Sequence, residues 1–169
     1  MSAESVKLVI LDVDGVLTDG GIYLDGQGQE FKRFNVYDGT GIKYLQRSGI
    51  TIAIISGRYS EPTAIRAKQL DITIVHQKSL NKLETLQDIL HKTGVREEEV
   101  AYIGDDLIDL PVLRRIGFPI APANARPEVK QVASLVTKAA GGSGAVREAA
   151  EHILRAQGRW AGLVERYLR

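Results

Sequence analysis

Short apolar runs alternate with amphipathic stretches along the chain. Residues 6–11 are aliphatic apart from Lys7. That run is too short for a core helix and reads as a strand buried on both faces. Residues 50–55, 72–75, 100–103, 118–121 and 135–136 read as strands in the same way. Between them lie helical patterns over 61–70, 80–92, 110–116 and 127–132. In the 80–92 segment Leu83, Leu86, Ile89 and Leu90 form one stripe, and Gly94 ends it. Asp38 is expected to cap a helix with its body at 42–48, ended by Gly49. The glycines at 39 and 41 fall in its first turn, where they weaken a helix. They point either to a close backbone approach or to a plain loop. A further helix is expected over 145–156, after the flexible joint 141–144, within a helical tail spanning about 143–169.

The regular exchange of strands and helices predicts an α/β fold with a mainly parallel sheet flanked by helices. The one antiparallel insertion is a small β-hairpin at about 21–36, after the first strand, where Asp25-Gly26 separates two short alternating segments. No linker, repeat or low-complexity tract divides residues 1–169, so a single domain is expected.

The strand exits share a chemistry. Asp12 and Asp14 follow the first strand, Ser56-Gly57-Arg58 the second, and Gly104-Asp105-Asp106 the fourth. Lys82 begins the helix after the third, and Asp109 lies just beyond Asp106. Each has an ordinary reading alone: a turn serine, a solvated lysine, a capping aspartate. In a parallel sheet, however, all strand C-termini lie along one edge, so these groups can converge. Paired carboxylates there suit a hard divalent cation or a phosphate chemistry that uses one.

Composition narrows the choice. The 169 residues are 44% hydrophobic and 25% charged, with net charge +1. That balance gives no reason to expect a nucleic acid or membrane partner. Cysteine is absent, which excludes disulfides and thiolate metal sites and fits a cytoplasmic protein. No signal-peptide pattern precedes Lys7, and no apolar run approaches the roughly 20 residues of a membrane helix.

The set Asp12-x-Asp14-Gly-Val-Leu-Thr, Ile55-Ser56-Gly57-Arg58, Lys82 and Gly104-Asp105-Asp106 resembles the haloacid dehalogenase-type phosphohydrolases. Finer stretches resemble one branch, the 3-deoxy-D-manno-octulosonate 8-phosphate phosphatases. These are residues 12–20, Phe34-Asn-Val-x-Asp-Gly-x-Gly-Ile, Asn81-Lys82-Leu83, residues 104–111 and Gly141-Gly-x-Gly-Ala-Val-Arg-Glu.

The resemblance implies a Rossmann-like sheet and a Mg²⁺-dependent phosphomonoesterase of lipopolysaccharide precursor synthesis. Asp12 would be the nucleophile, ionised at neutral pH, as an unperturbed carboxyl is. Asp14 would carry protons to the leaving group and from water. Ser56, the Gly57 amide and Lys82 would bind the phosphoryl oxygens. Mg²⁺ would sit on Asp12, Asp105 and the backbone carbonyl of Asp14. Asp109 would orient Lys82 or the metal's waters. Arg58 and Arg66 suit the substrate carboxylate, which a guanidinium pairs bidentately. The family pattern sets Asn35, Val36, Tyr37, Asp38 and Gly39 against the sugar.

The stretch between Asp12 and Ser56 leaves no room for a large cap domain. A neighbouring subunit is therefore expected to close the site, with the hairpin and the C-terminal segment at the interface, and the resemblance implies a homotetramer. Three other readings stay open: a phosphatase for a related acidic sugar phosphate such as a nonulosonate 9-phosphate, a phospho-aspartate binding module, and an oligomerisation domain with a relict site. The binding module would place its acids before the hydroxyl and lysine, whereas Asp105 follows both.

Overall fold

A computed structural model of the chain describes residues 2–168. Six parallel strands form the central sheet: β1 (Leu8–Leu11), β4 (Thr51–Ile55), β5 (Ile74–His76), β6 (Val100–Ile103), β7 (Phe118–Ala121) and β8 (Leu135–Val136). Their spatial order is β5-β4-β1-β6-β7-β8, so the chain moves outward one way from β1, then returns to β1's other side. β1 pairs in parallel with both β4 and β6, Leu11 standing beside Ile54 and Ile103. Such a reversal opens a crevice beyond the strand C-termini, here between β1 and β6.

The apolar runs are continuous because both sheet faces are covered. Val9, Leu11, Ile52 and Ile54 pack on one face against α1 (Val36–Arg47), α2 (Glu61–Gln69) and α6 (Ala145–Ala156). Leu8, Ile10, Ala53 and Tyr102 pack on the other against α3 (Lys82–Thr93), α4 (Leu110–Leu113) and α5 (Pro127–Val132). The period-two alternation of a strand sorts neighbours to opposite layers. The predicted hairpin forms as β2 (Tyr23–Leu24) and β3 (Glu30–Phe31), antiparallel and separate from the main sheet. Only this hairpin and α1 intervene between β1 and β4.

The elements β6, β7, α5, β8 and α6 have their expected bounds. Others shift. α1 starts at Val36, because Asn35 rather than Asp38 is its cap: the Asn35 side chain accepts from the amides of Tyr37 and Asp38. Asp38 is buried and accepts instead from the amides of Gly144 and Arg147 at 3.3 and 2.9 Å, capping α6. Gly41 makes that meeting close, since a Cβ there would lie 2.9 Å from the Arg147 Cα. A 3-10 turn, Leu107–Asp109, leads into α4, which stops at Leu113. The tail contributes one short helix, α7 (Trp160–Glu165), and its last residue, Arg169, lies outside the described residues. Among the described residues, no helix is long and apolar enough to cross a membrane.

Candidate active site

The chain leaves β1 through a tight loop. The amides of Val16, Leu17 and Thr18 all donate to the Val13 carbonyl, which leaves the Asp14 carbonyl free of them. Gly15 turns at φ +83°, and a Cβ there would lie 2.0 Å from Asp105 Oδ2. A side chain would thus occupy the place of the β6-exit carboxylate. Asn124 fastens the loop by donating to the Gly15 carbonyl at 2.9 Å and accepting from the Gly141 amide at 2.7 Å.

A cavity of about 250 Å³ opens over this edge, lined by Asp12, Asp14, Ser56, Gly57, Arg58 and Asp105 among others. A larger cavity, about 730 Å³, lies at the opposite edge beside Lys7 and Glu99. The convergence of acids, hydroxyl and cations assigns the site to the smaller one.

Lys82 joins the layers beneath it. Its side chain is 2% exposed, with Nζ 3.0 Å from Asp12 Oδ1 and 2.7 Å from Asp109 Oδ1. Asn81 caps α3 by accepting from the Glu84 amide, so Lys82 opens the helix. Burial alone would lower its pKa, but the charges of Asp12 and Asp109 outweigh that and raise it. Asp109 accepts from Lys82, from the Tyr102 hydroxyl at 2.6 Å, and from the amides of Asp105 and Asp106 at 3.0 and 3.2 Å. Of the two partners expected for Asp109, Lys82 is the one it touches.

Asp12 differs from expectation. Burial, opposed by Lys82 and reinforced by Asp109, pushes its carboxyl up to about 7. Burial, with the charges of Asp109 and Asp106, pushes Asp105 up to about 7 as well. These raised values express an excess of negative charge in a dry place, which a divalent cation would relieve. Oxygens of Asp12, Asp105 and Asp109 lie within 4.8 Å of one another. Both oxygens of Asp109 are already engaged, so Asp12 and Asp105 are the carboxylates that fit Mg²⁺.

The Asp14 side chain turns to the hairpin. It pairs with Lys32 and lies 3.5 Å from Arg58. Lys32, Glu30, Tyr102 and Asn124 escaped the sequence reading. Only the alternation Glu30-Phe31-Lys32 hinted that the hairpin offers one polar face. The structure does not bring every expected residue together. Val36 and Gly39 line a separate cavity of about 280 Å³ with Arg66, whose guanidinium lies 5.9 Å over the Phe34 ring. Asn35 caps α1, Tyr37 is exposed, and Asp38 is engaged with α6.

Comparison with known proteins agrees with this arrangement. Residues 59–148 match the model of the haloacid dehalogenase-like hydrolases. The 3-deoxy-D-manno-octulosonate 8-phosphate phosphatase of Escherichia coli K12 is 48% identical over 157 residues, covering 93% of this chain and 84% of that one. The phosphatase of that name from Yersinia pestis superposes with a TM-score of 0.93 at 46% identity, over 95% of this chain and 86% of that one. Its counterpart from Moraxella catarrhalis was solved with magnesium, phosphate and KDO. That structure gives a TM-score of 0.95 at 41% identity, over 98% of this chain and 95% of the other. Likeness of this extent, over nearly the whole chain, means that the chain belongs to the haloacid dehalogenase-like hydrolases, in the family of the 3-deoxy-D-manno-octulosonate 8-phosphate phosphatases.

Proposed function

We propose that this chain hydrolyses 3-deoxy-D-manno-octulosonate 8-phosphate to the free sugar acid and phosphate, with Mg²⁺, in lipopolysaccharide precursor synthesis. The observation that carries the reading is the buried Asp12 carboxylate, joined to Lys82 and facing the same cavity as Asp105. The family's named substrate supplies the sugar.

In this mechanism an Asp12 oxygen attacks phosphorus and the bond to the leaving sugar oxygen breaks, giving an aspartyl-phosphate. Asp14 gives its proton to that oxygen. It then takes a proton from the water that attacks the aspartyl-phosphate, which frees phosphate and restores Asp12. Lys82, Ser56 and the Gly57 amide hold the phosphoryl oxygens. Asp12, Asp105 and the Asp14 carbonyl would hold Mg²⁺, which would supply positive charge against the phosphoryl group. Arg58 pairs with the substrate carboxylate, a reading supported by its lining the cavity while 46% exposed.

Closure falls to a neighbouring subunit of a homotetramer. Support comes from the exposed apolar side chains Ile22, Leu24 and Phe31 on the hairpin and Val36 and Tyr37 at the start of α1. Such patches on a small monomer mark contact surfaces. Asn35, Gly39 and Arg66, which do not line the crevice in one chain, would meet substrate across that contact. A cytoplasmic enzyme fits a chain without cysteine.

The test is phosphate release from octulosonate 8-phosphate, nonulosonate 9-phosphate, hexose phosphates and a nitrophenyl ester, with sedimentation at assay concentration. Strong preference for the octulosonate ester, abolished in Asp12→Asn, is expected from a tetramer. Even turnover across the panel removes the substrate, and a fully active monomer removes the closure.

A further inference from the structure

The side chain of Lys32 is 1% exposed although it belongs to a surface hairpin. Taking an ammonium out of water costs several kcal/mol unless anions meet it. Two do. Lys32 Nζ pairs with Asp14 Oδ1 and lies 3.4 Å from Glu30 Oε1. Arg58 closes the ring, with its guanidinium 2.9 Å from the same Glu30 oxygen and 3.5 Å from Asp14 Oδ2.

The alternation of β3 brings this about. Phe31 is exposed and stacks on Tyr23 at 5.7 Å, while Glu30 and Lys32 turn the other way, toward the crevice. The two cations differ in freedom. Arg58 is 46% exposed and can leave the ring to meet an anionic substrate. Lys32 is enclosed and cannot.

We propose that Lys32 is a positioning residue for the hydrolysis: it fixes Oδ1 of Asp14, leaving Oδ2 to hand a proton to the leaving oxygen and later to take one from water. Glu30 holds Lys32 in place, so the hairpin is part of the reacting assembly as well as a contact surface. The inference rests on the phosphatase reading above, with Asp14 as the proton carrier.

The test compares substrates that do and do not need a proton on departure. An alkoxide from a sugar phosphate needs one, and nitrophenolate does not. In Lys32→Met, kcat for the sugar phosphate is expected to fall by about 10- to 100-fold, with KM changed less than about threefold. With the nitrophenyl ester, the first turnover should release nitrophenolate at the wild-type rate. Later turnovers should be slow, because water attack still needs Asp14. An equal loss in the first turnover of both esters, or an unchanged kcat on the sugar phosphate, overturns the proposal.

Asp14→Asn is the control. If it lacks the split between esters, the reading of Asp14 fails. If it shows the split and Lys32→Met does not, only the role of Lys32 fails. Should Lys32→Met melt too early to assay, Lys32→Arg keeps the buried charge but moves the donor, and the same split is expected. Wild-type kinetics from that variant overturn the positioning role.

Discussion

At the scale of single residues, Asp109 is the most heavily committed side chain in the molecule's active edge. It is fully buried and receives Lys82, Tyr102 and two backbone amides. Removing it leaves the buried Lys82 ammonium with Asp12 as its one charged partner beside the Tyr102 hydroxyl, and strands both amides. Asp109→Ala should therefore lower stability by about 3–5 kcal/mol. A fall in the urea midpoint at unchanged m would confirm this, and a shift below about 1 kcal/mol would refute it. Asp109 and Lys82 were visible in the sequence because charge at a strand exit is unusual. Tyr102 was not, because an aromatic inside an apolar run looks like core, and only the fold reveals its hydroxyl at 2.6 Å from Asp109. Lys32 was hidden for the opposite reason: a lysine in a short hairpin looks solvated.

Elements meet according to what glycine and caps allow. Gly41 lets α1 approach α6, with the Arg147 Cα 2.9 Å from where a Cβ would stand. Gly41→Leu should force the helices apart and cost about 1–3 kcal/mol, even though leucine favours helix more than glycine does. A rise in Tm on this substitution would show that the two helices are not in contact. The helices and strands whose ends coincide with the sequence reading, such as β6 and α6, are bounded by clear apolar runs. α1 began earlier than its apolar stripe indicated, because Asn35 supplies a cap that the two glycines had obscured. Asp38 had the right chemistry for a cap but serves the other helix, a pairing over 109 residues that no local pattern contains.

For the molecule as a whole, the two edges of the sheet carry different charge economies. At the edge away from the crevice, Glu99 pairs with Lys7 at 2.7 Å and with Arg96 at 3.2 Å. The Arg96 and Lys7 side chains, with the Arg96 amide, hold its carboxyl down to about 2 from an ordinary 4.5. A carboxyl lowered on folding adds stability above its unfolded pKa and loses it as pH falls through the folded one. Wild type should therefore exceed Glu99→Gln in denaturation midpoint at pH 6. The difference should shrink between about pH 5 and pH 2. A constant difference across that range would refute the assignment. High salt should narrow it, since Lys7 and Arg96 are exposed. The mainly parallel sheet and the convergence of its strand exits were legible from the exchange of strands and helices, because a parallel sheet leaves few places for those ends to go, whereas the order of the strands was not. Which side chains the hairpin leaves exposed was not legible either, since exposure depends on packing that only the folded chain displays.

Asn124 bonds both the Gly15 carbonyl and the Gly141 amide. A ribosome makes Asp12 well before Gly141, with all eight strands made in between or alongside. The loop after Asp12 is thus fastened only once the last strand of the sheet and the Gly141 segment have been made. A nascent chain can bury its first strands well before it can fix that loop, and no fragment that ends before the Gly141 segment holds it fastened.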